Sequence, residues 1–183
     1  MLKHLLVPGL AAALGISAPV LAQSVDGDAF AEALTTLNGD WSGTLEYRDY
    51  RSNERVFLPH ARTVSTGPAG EYILTENAFT DPGYTVHAAE LTSWDGERMR
   101  SVYSRGGSFE VSESQLVKFE QTENGWRAEL RSHGSDNGQP AEIRYLWSLN
   151  GDSLRAERQA RTDTREDFVF RNRIEVERQA RGE

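Results

Sequence analysis

The stretch LNGDWSGTLEYRDY, Leu37 to Tyr50, decides the fold. Trp41, Gly43, Leu45 and Tyr47 fall on one side of an extended chain, and Ser42, Thr44, Glu46 and Arg48 fall on the other. Side chains of a strand alternate between its two faces, so this is a strand with one face buried and one in water. Asp49 continues the apolar series and is expected to point inward near an open end.

Working outward, the segment before the strand, SVDGDAFAEALTTLNGD, reads as a short helix. Asp28 is its expected cap, Phe30, Ala33, Leu34 and Leu37 recur at helical spacing, and Gly39 stops it. Everything after the strand reads as further strands. RSNE turns into RVFLPHARTVS, whose Val56, Leu58 and Val64 share a face with His60 and Arg62. Pro59 calls for a place where no ladder N–H is needed. TDPG, DG, RGG, ENG and NGD mark tight turns, and GSDNGQP is the longest loop-like stretch. SFEVSESQLVKFEQT is two short strands or one bent one, and AEIRYLWSL places Ile143, Tyr145, Trp147 and Leu149 together. In EDFVFRNRIEVER, Phe168, Phe170, Ile174 and Val176 are expected on one face.

Nine to eleven strands with turns every 8–12 residues predict an all-β fold. Tight turns between successive strands favour an up-and-down meander, and closing it into an antiparallel barrel removes both exposed edges.

The ends and the composition bound the rest. Residues 1–22 open with Lys3 and His4, continue as an apolar run to about Val20, and end Val20-Leu21-Ala22. This is the pattern of a secretory signal peptide cleaved near Gln23. The run is too short and too broken by Pro8, Gly9, Gly15 and Pro19 for a membrane anchor. An exported protein, periplasmic or secreted, is expected, with residues 23–183 as its single domain. Losing Lys3 leaves 19 basic residues against 28 acidic ones, a net charge of −9. Such a chain is not drawn to nucleic acid by its charge. It has no cysteine, so the domain must be held by its core. Beyond Lys3, Lys118 is the one lysine, and the other 18 cations are arginine.

The triplet Gly39-x-Trp41-x-Gly43, following a short helix and opening the first strand of a meander, resembles the calycin group. That group comprises the lipocalins, the fatty-acid-binding-protein-like barrels and the nitrobindin-like haem barrels. The resemblance implies that Trp41 plugs the closed end of the barrel and that an arginine of the last strand lies across it. Arg171 and Arg173 are available there, and Arg158 is a rival one strand earlier. The resemblance also implies that a small amphipathic or apolar molecule binds inside.

Alternation places Asp49, His60, Arg62, Glu76, Arg158 and Asn172 on the inward face, opposite an aromatic strip of Tyr145 and Trp147. Charged groups are seldom buried unless paired or bound to something, so these residues form a candidate ligand-binding patch. A bulge in any strand would turn some of them to water. Haem is disfavoured because no histidine follows His133. Zinc is disfavoured because His60 and His87 lie on separate strands with no cysteine. No cofactor and no metal are therefore expected. A hydrolase lacks its G-x-S-x-G elbow. Two further readings stay open. One is a cofactor-free lyase or isomerase using Asp49, Glu76 or His60 as base, with Glu76 and Glu90 as a possible acid/base pair. The other is a filled barrel serving as an envelope interaction protein. The charge-rich RAERQARTDTRED is expected to be a solvated face of cross-strand ion pairs.

Overall fold

The computed structural model describes residues 26–164 and 166–180. The leader and its cleavage site lie outside them. One helix, α1 (Gly27–Thr35), precedes ten strands: β1 (Gly39–Arg48), β2 (Arg55–Thr66), β3 (Tyr72–Asp81), β4 (Tyr84–Trp94), β5 (Arg98–Arg105), β6 (Ser108–Thr122), β7 (Gly125–Asp136), β8 (Gln139–Asn150), β9 (Ser153–Thr162) and β10 (Val169–Arg178). Every strand pairs antiparallel with its neighbours in sequence, and β1 pairs with β10, so the meander closes into a barrel. No edge strand is left, and the strand count falls inside the expected range.

The helix starts two residues earlier than its spacing suggested. Asp26, not Asp28, is the cap, and it accepts from the Ala29 N–H at 3.0 Å. Asp28 sits in the first turn, where a negative charge suits the helix dipole. The apolar face of α1 covers one end of the barrel. Phe30 and Leu34 are fully buried there, which stabilises the fold by about 1.5–3 kcal/mol for each side chain. Phe30 meets Trp94, Phe119 and Trp126 edge-on at 5.0, 5.5 and 6.3 Å.

Three barrel tryptophans also fasten the helix by their indole N–H groups. Trp41 donates to the Leu37 carbonyl at 2.9 Å, Trp94 to the Gly27 carbonyl at 3.2 Å, and Trp126 to the Thr36 hydroxyl at 3.1 Å. Trp41 is therefore buried under the helix, as expected. The arginine across it is Arg178, whose guanidinium carbon lies 4.1 Å from the ring centroid. Arg178 is the register partner of Trp41, and it donates to the carbonyls of Asn38 at 2.5 Å and Thr36 at 2.8 Å. Arg171, Arg173 and Arg158 do not take this role. The two glycines of the triplet make room. A Cβ at Gly39 would lie 2.9 Å from Arg178, and one at Gly43 would lie 2.2 Å from the Glu175 carbonyl oxygen.

Three local expectations are corrected. GSDNGQP is no loop: β7 and β8 run to a two-residue turn at Asn137-Gly138, both at positive φ (50° and 76°). SFEVSESQLVKFEQT is one strand, with a register shift between Leu116 and Lys118. A second shift between Phe170 and Asn172 reverses the face of the chain before it. Phe170 pairs with Gln159 and lies outside the barrel; Val169, Asn172, Ile174, Val176 and Arg178 are on the inward rows.

The outer wall formed by β7 to β10 and β1 carries a ladder of ion pairs, as the charge density of RAERQARTDTRED suggested. Arg155 meets Glu157, Arg131 meets Glu129 and Glu142, and Arg161 also meets Glu142. Glu46 is buried in this ladder between Arg55 and Arg173. Phe168 lies over Arg131, Arg144 and Arg161, and Phe170 over Arg55 and Arg173.

Candidate functional site

The inward face of β2 runs, from the open end towards the helix, Val56, Leu58, His60, Arg62 and Val64. Their register partners on β1 are Tyr47, Leu45, Gly43, Trp41 and Gly39. His60 and Arg62 thus point into the lumen, Arg62 level with the plugging tryptophan. On β3 the inward residues are Ile73, Thr75, Asn77 and Phe79; on β4 they include Ala88, Glu90 and Thr92. Thr75, Asn77, Thr92 and Ser101 are all buried. One side of the lumen is accordingly polar.

This polar side is incompletely satisfied. The Arg62 guanidinium reaches only the Thr75 hydroxyl, at 3.4 Å, and its buried Nε has no partner. No carboxylate among the described residues forms an ion pair with it, although Glu90 faces the same lumen and favours its charged form. Burial opposes that charge and lowers the Arg62 pKa. His60 is 2% exposed and stacks on Phe79 with ring centroids 4.7 Å apart. Neither imidazole nitrogen has a hydrogen-bond partner. Desolvation, helped by the charge of Arg62, pushes its pKa down to about 4; the Ala78 backbone works weakly the other way. His60 is therefore neutral at pH 7, able to donate at one nitrogen and accept at the other.

Across the barrel, β8 presents Tyr145 and Trp147 inward, between Leu130 and Ala128 of β7 and Arg158 and Ala156 of β9. Both aromatics pack against the core, yet each retains accessible surface, as do Leu45, Tyr47 and Ile174 on neighbouring inward positions. Inward side chains at this depth keep such surface only where the lumen is not filled.

Arg158 faces inward nearer the mouth but is engaged. It lies 3.6 Å from the Asp136 carboxylate and donates to the Ser135 carbonyl at 3.2 Å. Asp136 is buried, pairs with Arg171, and accepts from the Tyr50 hydroxyl at 2.7 Å; Arg171 lies 5.0 Å from the Tyr50 ring. This cluster straps the β1–β2 turn to the β7–β8 turn.

Two expected members are elsewhere. β1 ends at Arg48, and Asp49 opens the turn. Its carboxylate accepts from the backbone N–H of Ser52 at 2.7 Å and of Arg51 at 2.9 Å, which lowers its pKa. Glu76 points outward and is exposed. Glu76 and Glu90 lie on opposite faces of the wall and form no pair. The sequence reading missed Thr75, Asn77, Thr92 and Ser101. In EYILTENAF the outward row of Tyr72 and Leu74 is as apolar as the inward one. Leu74 continues through its register partners Leu91, Val102 and Val111 as an exposed apolar row, so hydrophobic alternation gave no polarity for this side. Parity with the buried Ile73 was the available signal.

No known family profile matches the sequence, and no curated protein does. Among solved structures, that of Rv2717c from M. tuberculosis is similar, with a TM-score of 0.59 and 14% identity over 81% of this chain and 96% of that one. At that identity the likeness speaks for the fold alone.

Proposed function

We propose that this protein is an exported, calycin-like barrel that binds a small amphipathic molecule in its lumen. The carrying observation is Arg62: a guanidinium held inward, beside a buried neutral His60, with no carboxylate among the described residues paired to it. Arg62 is half-buried, and its Nε is shut off from water without a partner. A cation desolvated in part without its counter-ion is costly in the free protein, and an anionic or strongly polar head group supplies the missing partner. Tyr145 and Trp147 offer an apolar surface opposite for the body of the ligand.

The lyase or isomerase reading loses two of its bases, since Asp49 is committed to a turn and Glu76 faces water. His60 is neutral, but among the described residues neither of its nitrogens has a hydrogen-bond partner. Binding without chemistry is the reading we adopt.

The test is mass spectrometry of small molecules released from the purified, exported protein, compared with its Arg62→Leu variant. An anionic amphiphile present with the wild type and depleted in the variant is expected. Replacing Arg62 should weaken its binding by about 2–5 kcal/mol. Equal amounts in both would remove Arg62 from the site.

A further inference from the structure

We infer that the ligand enters the lumen sideways, through a split in the wall between β6 and β7, and that the molecule admitted is a single-chain anionic amphiphile. The inference rests on the lumenal binding reading. Its own support is the way the ladders end. The β6–β7 ladder stops at Gln115 and Arg131, leaving Ser108–Ser114 of β6 and Ser132–Asp136 of β7 with no register partner across it. Elsewhere at this end the loss is smaller or one-sided. The β2–β3 ladder leaves Arg55–Pro59 of β2 free against only Thr80 and Asp81 of β3, and the β4–β5 ladder leaves Tyr84–His87 of β4 free but runs to Arg105, the last residue of β5. Only between β6 and β7 do two long unpaired segments face each other.

A crevice of about 380 Å³ occupies that split. It is lined from both sides of the wall: Ser114 and Ser132 belong to the inward rows, while Gln115, Arg131 and His133 belong to the outward ones. The two lips are independent. Glu113 on β6 is held by Arg98 and Arg100 of β5 at 2.7 and 2.8 Å, and Arg131 on β7 by Glu129 at 2.8 Å and Glu142 of β8 at 3.2 Å. Among the described residues no ion pair or side-chain hydrogen bond joins one lip to the other. The strap from Tyr50 to Asp136 ties the β7–β8 turn to the side away from β6 and narrows the mouth there. Separation of the β5–β6 and β7–β8 hairpins above Gln115 and Arg131 thus breaks no side-chain ion pair or hydrogen bond among the described residues, whereas widening the strapped side of the mouth breaks a buried cluster. The serines at the inner end suit a passing head group, and a crevice of about 380 Å³ suits one alkyl chain.

A route governs rates and not affinity, which gives the test. The cysteine-free chain allows Ser114→Cys with Ser132→Cys to be bridged by a short thiol crosslinker, using dansyl-undecanoic acid as the probe in stopped-flow fluorescence. Bridging is expected to slow association and dissociation together, by tenfold or more, with Kd unchanged within about twofold. Tyr50→Phe, which frees the strap, is expected to leave both rates alone. Unchanged rates after bridging, or faster rates in Tyr50→Phe alone, would overturn the lateral route. Amide hydrogen exchange needs no ligand: the amides of residues 108–114 and 132–136 that face the split are expected to exchange within seconds. Protection there equal to that of the β5–β6 ladder would also overturn it. If the probe binds equally well to wild type and Arg62→Leu, the lumenal site fails instead, and the exchange result still decides whether the wall opens.

Discussion

His60 shows how one side chain ties stability to pH. Its folded pKa of about 4 lies below the unfolded value near 6.5. Between these values the unfolded chain holds a proton that the native chain refuses, so stability rises with pH across this window and falls as pH drops through it. The contribution is about 3 kcal/mol at most. Urea titrations at pH 7 and pH 4.5 are expected to show a smaller acid loss in His60→Leu than in the wild type. An identical loss would mean that the imidazole charges freely in the fold. Arg62 carries the opposite kind of cost. Arg62→Met removes a half-buried charge whose Nε lacks a partner and keeps most of the apolar stem, so it should raise the free energy of unfolding by about 1 kcal/mol while abolishing head-group binding. A destabilised Arg62→Met would show that the guanidinium is satisfied in the free barrel.

At the scale of elements, the helix is fastened to the barrel more heavily than its nine residues suggest. Trp41, Trp94 and Trp126 each donate to it or to its C-terminal turn, and Arg178 seals the junction against Trp41. Trp41→Ala is expected to cost about 3–5 kcal/mol, read as a lower urea midpoint. Arg178→Ala should cost about 1–3 kcal/mol, because it strips two carbonyls of their donor as well as the ring of its cation. Near-neutral results would detach the helix from the core. The strand order and the role of Trp41 were legible in LNGDWSGTLEYRDY because one face of β1 is uniformly apolar or glycine. Arg178 shares the numbering parity of Ile174 and Val176, so alternation alone allows it, but the resemblance leads only to Arg171, Arg173 and Arg158. The bulge at Arg171 misplaces Phe168 and Phe170, which share that parity yet lie outside. The site was half legible. His60, Arg62, Tyr145 and Trp147 kept the phase of apolar neighbours, whereas Asp49 was claimed by a turn and Glu76 by an outer face as apolar as the inner one.

For the molecule as a whole, the use of arginine in nearly every cationic position of the outer ladder makes its tolerance of acid and alkali unequal. Glu157 illustrates the acid side. Burial raises its pKa, but hydrogen bonds from Gln159 and Arg155 outweigh burial and the net shift is downward; Glu142 is also held low, by Arg161 and Arg131. Carboxyls lowered in the fold give stability that is present above their unfolded pKa and lost as pH falls. The guanidinium partners have no matching loss, since they do not release protons below about pH 12. On the alkaline side the first groups to act are phenols. Tyr50 and Tyr103 are raised chiefly by burial and Tyr84 by its bond to Asp81, so unfolding gains only once free tyrosine ionises, near pH 10. Thermal melts are therefore expected to trace a plateau from about pH 6.5 to about pH 10, with a decline on the acid side that starts closer to neutrality. A decline beginning well below pH 10 would point to a cation other than arginine at work. A barrel walled in this way suits alkaline surroundings better than acidic ones, because in its ion pairs the carboxylate is lost to acid long before the arginine is lost to alkali.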